Sequence, residues 1–342
     1  MIRFADRGAF ARALATLPEA DGQAVKAAAA RQAMLTKPAG SLGRLEEIAL
    51  FMAGWQGRER PRADHIRAAV FAGNHGVAAR GVSAFPTAVT AQMVANFNAG
   101  GAAINALAAA CGAELAIVPL DLDRPTADLC ECPAMSEAEC LDAINAGAAV
   151  VRADSDLLFV GEMGIANTTP AAALCAQVFG GAPTLWVGRG TGVDAEGIAR
   201  KAEAVAAGLA LHGDHCIDAF ETLRRLGGRE IAAMAGAVLA ARHSRVPVLL
   251  DGFIACAAMA PLLADNAAFL GHCLAAHCSA EAGHVRLLER FGLDPLLHLG
   301  MRLGEGSGAA LAWPLLESAS RVMCEMASFD AAGVSEKAPP LP

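Results

Sequence analysis

The sequence predicts an α/β fold in which helices flank a parallel β-sheet, and three observations support this. Short apolar runs ending in Gly or Asp recur from about residue 67, and each is followed by a loop and an Ala-rich, helix-like segment. Alanine, which dominates the composition, has the best helix propensity and lets helices lie close to a sheet. The 342 residues suffice for one large domain or two of ordinary size.

Six apolar runs are the predicted strands. Strands that alternate with helical segments are typical of βαβ units, and therefore of a parallel sheet. The runs are Ala68–Ala72, Leu115–Pro119, Asp156–Val160, Thr184–Val187, Pro247–Leu250 and, less clearly, Phe269–Ala275.

Both ends of the chain are predicted to be helical. Residues 8–57 form an amphipathic pattern that is interrupted at Thr36–Ser41, where Ser41 is placed to cap the following helix. The chain returns to a helical pattern after Glu305. We therefore expect a small helical domain built from residues 1–60 and 310–342, and an α/β domain from residues 61–309.

The bulk composition excludes several classes of protein. The mean hydropathy of +0.40 arises from small residues, and the longest apolar runs, Ile231–Arg242 and Ile254–Asp265, reach only about eleven residues. A membrane-spanning helix needs about 20. The net charge of −8, without any Lys/Arg run, argues against a nucleic-acid or anionic-membrane partner. Tyrosine is absent, so no phenol can serve as a general acid or stack on a ligand.

The N-terminus and the cysteines bear on location and metals. The first residues include Asp6 and lack the apolar core of a secretory signal, so we expect a cytoplasmic protein. Ten cysteines without a CxxC pair are expected to stay reduced. Cys130, Cys132 and Cys140 could form a soft-metal site, but no histidine is near and the spacing fits no common zinc module. We favour incidental thiols in an acidic loop and predict no metal.

Loops at the predicted strand ends are the place to look for chemistry, because ligands of open parallel sheets bind beyond the carboxyl ends of strands. The loop Gly161–Pro170 follows one such strand. Pro170 fits a first helical position, and Asn167, Thr168 or Thr169 fits the cap, which predicts an anion site at the helix N-terminus. Glu162 in this loop either faces a ligand or is a solvated acid.

A second loop, Val187–Asp194, is rich in glycine and precedes a helix that carries Lys201. Its backbone amides could approach a phosphate, and Arg189 or Lys201 could supply positive charge. The spacing is not GxGxxG, so a purely structural turn is equally compatible with the pattern.

The remaining candidates are Leu250–Phe253 with His277–Glu281, and the segment Arg302–Ala309. Their histidines, like His75, do not have metal-ligand spacing. Glu305 stands among glycines with no side chain nearby in sequence to pair with, as expected of a general base. A Gly-rich hinge would give the same pattern. Two isolated acids and several anion sites suggest a reaction on a nucleotide-like monophosphate, but do not name it.

Six segments, in order over about residues 20 to 330, resemble the nicotinate-nucleotide:5,6-dimethylbenzimidazole phosphoribosyltransferases of cobalamin biosynthesis. They are Lys37–Glu46, Asn74–Val77, Gly161–Pro170, Pro247–Phe253, Ser279–Glu281 and Arg302–Ala310.

This resemblance implies a homodimer with a Rossmann-like parallel six-stranded sheet flanked by helices, plus a small helical domain from both chain ends. It implies that a benzimidazole nitrogen displaces nicotinate from C1′ of nicotinate mononucleotide with inversion, giving α-ribazole 5′-phosphate. Neither a metal nor an organic cofactor is expected.

The resemblance also implies roles for individual residues. Glu305 matches the base and Glu162 the second active-site carboxylate. The phosphate and ribose are expected at Gly164, Asn167, Thr168, Gly188, Arg189, Gly190, Lys201 and Ser279, and the flat base at Ser83, Phe85, Gln92, Met163 and Leu303. The segment Val82–Pro86 varies in the family and Asn74 replaces a common acid, so the preferred base stays open.

Two other functions remain possible from the sequence alone. A nucleotide-binding or sensor protein would keep the anion sites without chemistry, although Glu162 and Glu305 would then have no purpose. A nicotinamide-dependent dehydrogenase is disfavoured, because no GxGxxG follows the first predicted strand and no acid lies at the expected distance beyond it.

Overall fold

The computed structural model describes residues 2–335, and within them the sheet is wholly parallel and has five strands. The strands are β1 Ile66–Ala72, β2 Glu114–Pro119, β3 Leu157–Met163, β4 Val248–Leu250 and β5 Cys273–Ala275. Their order is β2-β1-β3-β4-β5. The chain leaves β1 toward β2 and then returns to the other side of β1 as β3. The strand order therefore reverses between β1 and β3, and such a switch point is where open sheets bind ligands.

The α/β class with a parallel sheet is confirmed, but one of the six predicted strands, Thr184–Val187, is wrong. Thr184–Val187 lies in a 3₁₀ turn, Pro183–Leu185, and the segment after it. The amides of Trp186 and Val187 both donate to the carbonyl of Pro183, so they are not free to join a sheet. The Trp186 indole donates to Gly180 O at 2.9 Å, which fixes this turn.

The last predicted strand is also shorter than expected. Phe269–His272 forms a 3₁₀ turn, and only Cys273–Ala275 joins the sheet. The strand after Asp156 is longer than predicted, because it continues to Met163 and thus includes Glu162.

Fifteen α-helices occupy the described residues. Several begin at side-chain caps that the sequence supplies, such as Asp21, Ser136, Asp194 and Asp218. The helices are α1 Arg7–Ala15, α2 Gly22–Met34, α3 Arg44–Gln56, α4 Ala88–Asn98, α5 Ala103–Ala110, α6 Glu137–Ala148, α7 Thr168–Phe179, α8 Ala195–His212, α9 Ala219–Leu226, α10 Arg229–His243, α11 Phe253–Ala257, α12 Ala260–Asp265, α13 Ala282–Phe291, α14 Ser307–Glu325 and α15 Phe329–Ala332.

The core is built around α10, which is buried from Arg229 to Arg242 and packs on β1, β3 and α6. Glycine allows this approach. A Cβ on Gly147 would lie under 3.0 Å from the backbone of Ala233, and one on Gly236 under 3.0 Å from the backbone of Ile144. The small residues of the sequence thus permit contact between helices at the level of their backbones. Within the described residues no helix has the length and apolarity that a membrane crossing requires.

The chain forms two compact units, and the boundaries differ from those expected. The larger α/β unit contains the residues up to Pro18 and His65–Ala312, whereas the smaller contains Glu19–Asp64 and the residues from Trp313. Assigning residues 1–18 to the helical part was therefore wrong. Phe10 in α1 packs edge-on against Phe220, which fixes this segment in the α/β unit. Residues 336–342 of the expected helical domain lie outside the described residues.

Within the smaller unit, the expected cap at Ser41 is wrong. Helix α3 begins after Gly43, whose φ of +52° is a conformation that glycine adopts readily. No side chain caps α3; Glu46 in its first turn instead holds the preceding segment, because its carboxylate accepts from Leu42 N at 3.0 Å and pairs with Lys37 at 2.8 Å.

Candidate active site

A pocket lies within the α/β unit at the carboxyl ends of the sheet strands. The end of β3 and the loop after it supply Glu162–Ile165, the segment after β4 supplies Asp251–Ala255, and the segment after β5 supplies His277 and Ser279. Gly190, Thr191 and Arg302–Gly304 complete much of the lining. The pocket is therefore where the strand-end argument predicted a ligand site.

Glu162 belongs to β3 and its side chain is buried, so the solvated-acid interpretation is wrong. Its Oε2 accepts a hydrogen bond from Asn167 Nδ2. Burial raises the pKa of Glu162 to about 8; the Asn167 hydrogen bond opposes this, and the charges of Glu230, Asp251 and Glu305 add to it. At neutral pH a carboxyl group with this pKa is mostly protonated. Most glutamates are ionised at this pH, and strongly shifted pKa values are concentrated at functional sites.

Glu305 follows Gly304 in a tight loop and is buried. Its φ of +65° is a strained conformation for a residue with a side chain. Its Oε2 is buried and has no hydrogen-bond partner among the described residues. Burial raises the pKa of Glu305; a hydrogen bond from the backbone of Ile104 opposes this shift, and the nearby charge of Asp251 adds to it. A carboxylate with one unpaired oxygen and raised proton affinity suits a general base.

Glycines on both sides allow the two carboxylate loops to meet. A Cβ on Gly161 would lie under 3.0 Å from the backbone of Glu305, and one on Gly304 under 3.0 Å from Glu162 Oε1. The amide of Glu305 also lies 3.3 Å from the carbonyl of Glu162 and donates to it. The structure therefore brings the two predicted carboxylate residues onto adjoining backbone segments, as the sequence could not show.

Asp251 holds the Glu305 loop in place, a role that the sequence reasoning missed. Its carboxylate accepts from Gly306 N at 3.1 Å and from Ala309 N at 3.0 Å, which caps the start of α14. Burial raises the pKa of Asp251 to about 6, although these backbone hydrogen bonds oppose the shift. A strand-end aspartate followed by glycine was the available signal.

Lys201 in α8 reaches the loop between β3 and α7. Its Nζ donates to Thr168 Oγ1 at 2.9 Å and to Gly188 O at 3.1 Å, with Gly190 adjacent. Burial lowers the pKa of Lys201, and the charge of Glu281 opposes the shift. Thr168 begins α7, where Thr169 N donates to Ala166 O and Pro170 has no N–H, so the Thr168 amide and the helix dipole are what this end offers an anion. The cluster of Lys201, Thr168, Gly188 and Gly190 can therefore receive an anion.

The expected place of Pro170 at the first position of α7 is wrong, because it is the third residue of that helix.

Comparison with known proteins agrees with this geometry. A family model described as phosphoribosyltransferase matches residues 17–334. A nicotinate-nucleotide–dimethylbenzimidazole phosphoribosyltransferase from Novosphingobium aromaticivorans is 63% identical over 336 residues, covering 98% of this chain and 99% of that protein. The chain belongs to this family.

Further comparisons extend the agreement to structure. The protein of the same name from Mesorhizobium japonicum is 58% identical, covering 94% of this chain and 96% of its own. The crystal structure of CobT from Thermus thermophilus superposes with a TM-score of 0.86 at 41% identity, covering 92% of this chain and all of that one.

The other residues that family resemblance assigned to phosphate or ribose have varied positions. Gly164, Asn167 and Ser279 line the pocket, and Ser279 also contacts His284 Nδ1 at 2.9 Å. Arg189 is exposed and lies outside the lining. Arg302, which the sequence reasoning did not single out, lines the pocket and donates to Gly190 O at 2.9 Å.

The residues expected to hold the base are only partly brought together. Met163 and Leu303 line the pocket, and Leu303 is 55% exposed there. Ser83 lines a smaller adjoining cavity that Thr168 and Lys201 also line. Phe85 and Gln92 are exposed and belong to neither lining.

The cysteine loop has an ordinary structural environment. Cys130 Sγ donates to Ala204 O at 3.3 Å, and burial raises its pKa to about 11, which disfavours the thiolate that metals bind. Cys140 is buried in α6. Within residues 2–335 no group of three or more His, Cys, Asp or Glu side chains is arranged to hold a metal ion.

Proposed function

We infer that this chain transfers the phosphoribosyl group of nicotinate mononucleotide to 5,6-dimethylbenzimidazole, in the assembly of the cobalamin nucleotide loop. The products are α-ribazole 5′-phosphate and nicotinate. The observation that carries the inference is a pair of buried carboxylates at a pocket that adjoins the Lys201 cluster: Glu162 lines the pocket, and Glu305 lies outside the lining but directly follows Gly304, which belongs to it. Family membership over nearly the whole chain supports the same reaction.

In the proposed mechanism Glu305 is the general base. One benzimidazole nitrogen forms a bond to C1′ of the ribose with its lone pair, and the bond from C1′ to nicotinate breaks with inversion. The electron pair of that bond neutralises the nicotinate nitrogen. The proton on the second benzimidazole nitrogen passes to Glu305, whose unpaired Oε2 and raised pKa make it a ready acceptor.

Glu162 is the proposed orienting and charge-stabilising acid. Because Asn167 donates to Oε2, the remaining oxygen Oε1 is the natural position of the proton. The protonated acid can orient the ribose through a hydrogen bond. In its ionised form it would stabilise the positive charge that develops on the ribose in the transition state.

The phosphate is proposed to bind near Lys201, Thr168 and Ser279, with Gly164, Asn167 and Gly188–Gly190 around the ribose. The hydrogen bonds described for Lys201 Nζ are to neutral oxygens, and although the negative charge of Glu281 also acts on it, the ammonium group can attract a phosphate. The Thr168 amide and the helix dipole at the start of α7 add partial positive charge. Arg189 is proposed as a peripheral contact from the exposed side.

The base is proposed to lie against Met163 and Leu303, with Ser83 beside it and Phe85 and Gln92 at the outer end. Ile165 and Phe253 add apolar surface to the same pocket, which suits a flat aromatic ring.

We also propose that the chain acts as a cytoplasmic homodimer and that Glu19–Asp64, together with the helical residues from Trp313, form its small domain. Leu299, Leu303 and Leu311 of the α/β unit are exposed apolar side chains of the kind that a subunit interface covers. Light scattering during gel filtration tests the dimer, and a monomeric mass would contradict it.

The purified chain should be incubated with nicotinate mononucleotide and dimethylbenzimidazole, and the products identified by mass. We expect free nicotinate and α-ribazole 5′-phosphate in equal amounts, and neither without the base. A chain that binds the nucleotide by calorimetry but releases no nicotinate over hours would be a binding protein instead. Mixed bases in one reaction would then show which base is preferred.

A further inference from the structure

A buried His–Glu pair lies beside the active-site loops without lining the pocket. His75, in the segment after β1, places Nε2 2.6 Å from Oε1 of Glu230, in the first turn of α10. Both side chains are almost completely buried. The pair adjoins the point between β1 and β3 where the strand order reverses, because Gly73 N donates to Met163 O at the ends of these strands.

Three polar groups converge on Gly164. A Cβ at this residue would lie 2.9 Å from Glu230 Oε1, 2.9 Å from Gly73 O and 3.0 Å from Asn167 Nδ2. Only glycine leaves room for all three. The Asn167 amide that reaches this point is the one that donates to Glu162. Two hydrogen bonds, from His75 to Glu230 and from Asn167 to Glu162, therefore meet at the space that a side chain on Gly164 would fill.

The pair has no evident purpose in packing. Glu230 Oε2 and His75 Nδ1 are buried and have no hydrogen-bond partner within the described residues. Burying polar atoms without hydrogen-bond partners is unfavourable, so a pair of apolar side chains would stabilise the core better. The neighbouring Arg229 does not satisfy Glu230, since its guanidinium contacts Glu139 at 2.5 Å and the carbonyl of Arg124.

We propose that His75 and Glu230 form a positioning pair that fixes Gly164 against Gly73 and thereby keeps the Asn167 amide on Glu162. This proposal rests on the phosphoribosyl transfer proposed above. The acidic groups whose charges act on Glu162 are Glu230, Asp251 and Glu305. Burial is the main cause of the raised pKa of Glu162, and the charge of Glu230 adds to it, so the pair also contributes to the protonation of that acid.

The test compares the variants Glu230→Gln, Glu230→Ala, His75→Gln and His75→Ala with wild type. Glu230→Gln keeps an oxygen for His75 but removes the charge, and His75→Gln keeps a donor near the position of Nε2. We expect both alanine variants to lower kcat about tenfold or more, with less than a twofold change in the KM for nicotinate mononucleotide. His75→Gln should restore most of kcat.

Two further readouts separate positioning from simple stability. In Glu230→Gln, the limb of the kcat pH profile that belongs to Glu162 should move to lower pH, because loss of a negative neighbour lowers the pKa of Glu162. In an Asn167→Ala background, Glu230→Ala should cost little more, since both changes disturb the contacts that meet at Gly164.

His272→Gln is the matched control. His272 is equally buried, but it lies just before β5 at the opposite edge of the sheet and contacts Val238 O. It should alter thermal stability without altering kcat or the pH profile. Variants of the pair that behave like His272→Gln, or additive losses with Asn167→Ala, would overturn the proposal. An inactive wild-type chain would instead contradict the transferase function. If an alanine variant does not fold, the glutamine variants still decide the question.

Discussion

Glycine lets backbone segments approach closely in two regions of this molecule, one in the helical core and one at the active site. Where α6 meets α10, Gly147 and Gly236 let two helices touch backbone to backbone. Where β3 meets the Glu305 loop, Gly161 and Gly304 let two carboxylate-bearing segments adjoin. In the helix contact a new Cβ would meet peptide atoms, whereas at Gly304 it would meet the side-chain oxygen of Glu162.

The difference shows where the fold contains energetically unfavourable features, and these lie at the active site rather than in the helix contact. The α6 and α10 contact contains regular helix and buried small apolar residues. The active-site edge contains a buried carboxylate oxygen without a partner on Glu305 and a left-handed backbone at the same residue. Unpaired buried atoms and strained backbone are retained where function requires them, and favourable interactions elsewhere in the protein compensate for them. Changes in the first region should therefore reduce stability, and changes in the second should reduce activity.

The largest effect is expected for Glu305→Gln. The substitution keeps the shape of the side chain but removes the proton acceptor, so kcat should fall about 10³-fold, which corresponds to about 4 kcal/mol. Calorimetry should show binding of nicotinate mononucleotide close to that of wild type. Glu317→Gln, which removes the charge of a half-buried carboxylate of α14 that pairs with Arg321 outside the pocket lining, is the control and should be fully active. Normal turnover by the Glu305 variant would show that the base is a different group.

Next in size is Gly236→Ala in the helix contact. The new Cβ would clash with the backbone of Ile144, which cannot move without separating α6 from α10. We expect a loss of about 3 kcal/mol in the free energy of unfolding, measured by urea denaturation. Gly22→Ala, where no atom lies within 4 Å of the added Cβ, should be neutral. A stable Gly236 variant with impaired kcat would reverse the proposed contrast between the regions.

Gly304→Ala should have the complementary effect. The added Cβ displaces Glu162 Oε1, and we expect kcat to fall about 100-fold, since misplacement of a reacting group by about 1 Å has that consequence. The control is Gly300→Ala. Gly300 has φ +66° and Gly304 has φ +85°, but nothing lies within 4 Å of a Cβ on Gly300. Both variants should lose similar stability through backbone strain. Equal kcat values in the two would mean that Glu162 is not held by contact with Gly304.

Local patterns predicted the α/β class, most strands and the loops of the site. Short apolar runs located β1 and β3, which are buried along nearly their whole length, and also the half-buried edge strand β2. The same rule failed at Thr184–Val187, where Pro183 and the Trp186 indole hydrogen bond stabilise a turn. Hydropathy carries no information on where backbone amides donate.

The site residues that the sequence missed act through distant partners. Asp251 lies more than fifty residues before the amides that it caps, and Glu230 lies far along the chain from His75. Their roles depend on the strand order, which brings the ends of β1, β3 and β4 together. Glu162 and Glu305 were found because glycines surround them locally. Whether their two loops adjoin was decided only by the folded chain.

The smallest effect concerns pH and compares a carboxylate from each region. The pKa of Glu162 is raised from 4.5 to about 8, first by burial. The stability that Glu162 contributes is therefore complete at low pH and is lost as the pH rises toward 8. Glu162→Gln removes the ionisation, so its melting temperature should exceed that of wild type by about 2 °C or more at pH 8, with little difference at pH 5.

Glu221, beside the α6 and α10 contact, is the control, because its pKa is shifted in the opposite direction. Burial opposes the shift, but hydrogen bonds from Arg224 and Arg225 lower its pKa. The ionised carboxylate therefore stabilises the fold above the ordinary pKa of glutamate, and this stabilisation is lost only as the pH falls through the lowered pKa. Glu221→Gln should therefore melt below wild type at pH 5 and at pH 8. A Glu162 variant that melts below wild type at pH 8 would show that the ionised carboxylate stabilises the site, and the contrast between the two regions would then be one of geometry alone.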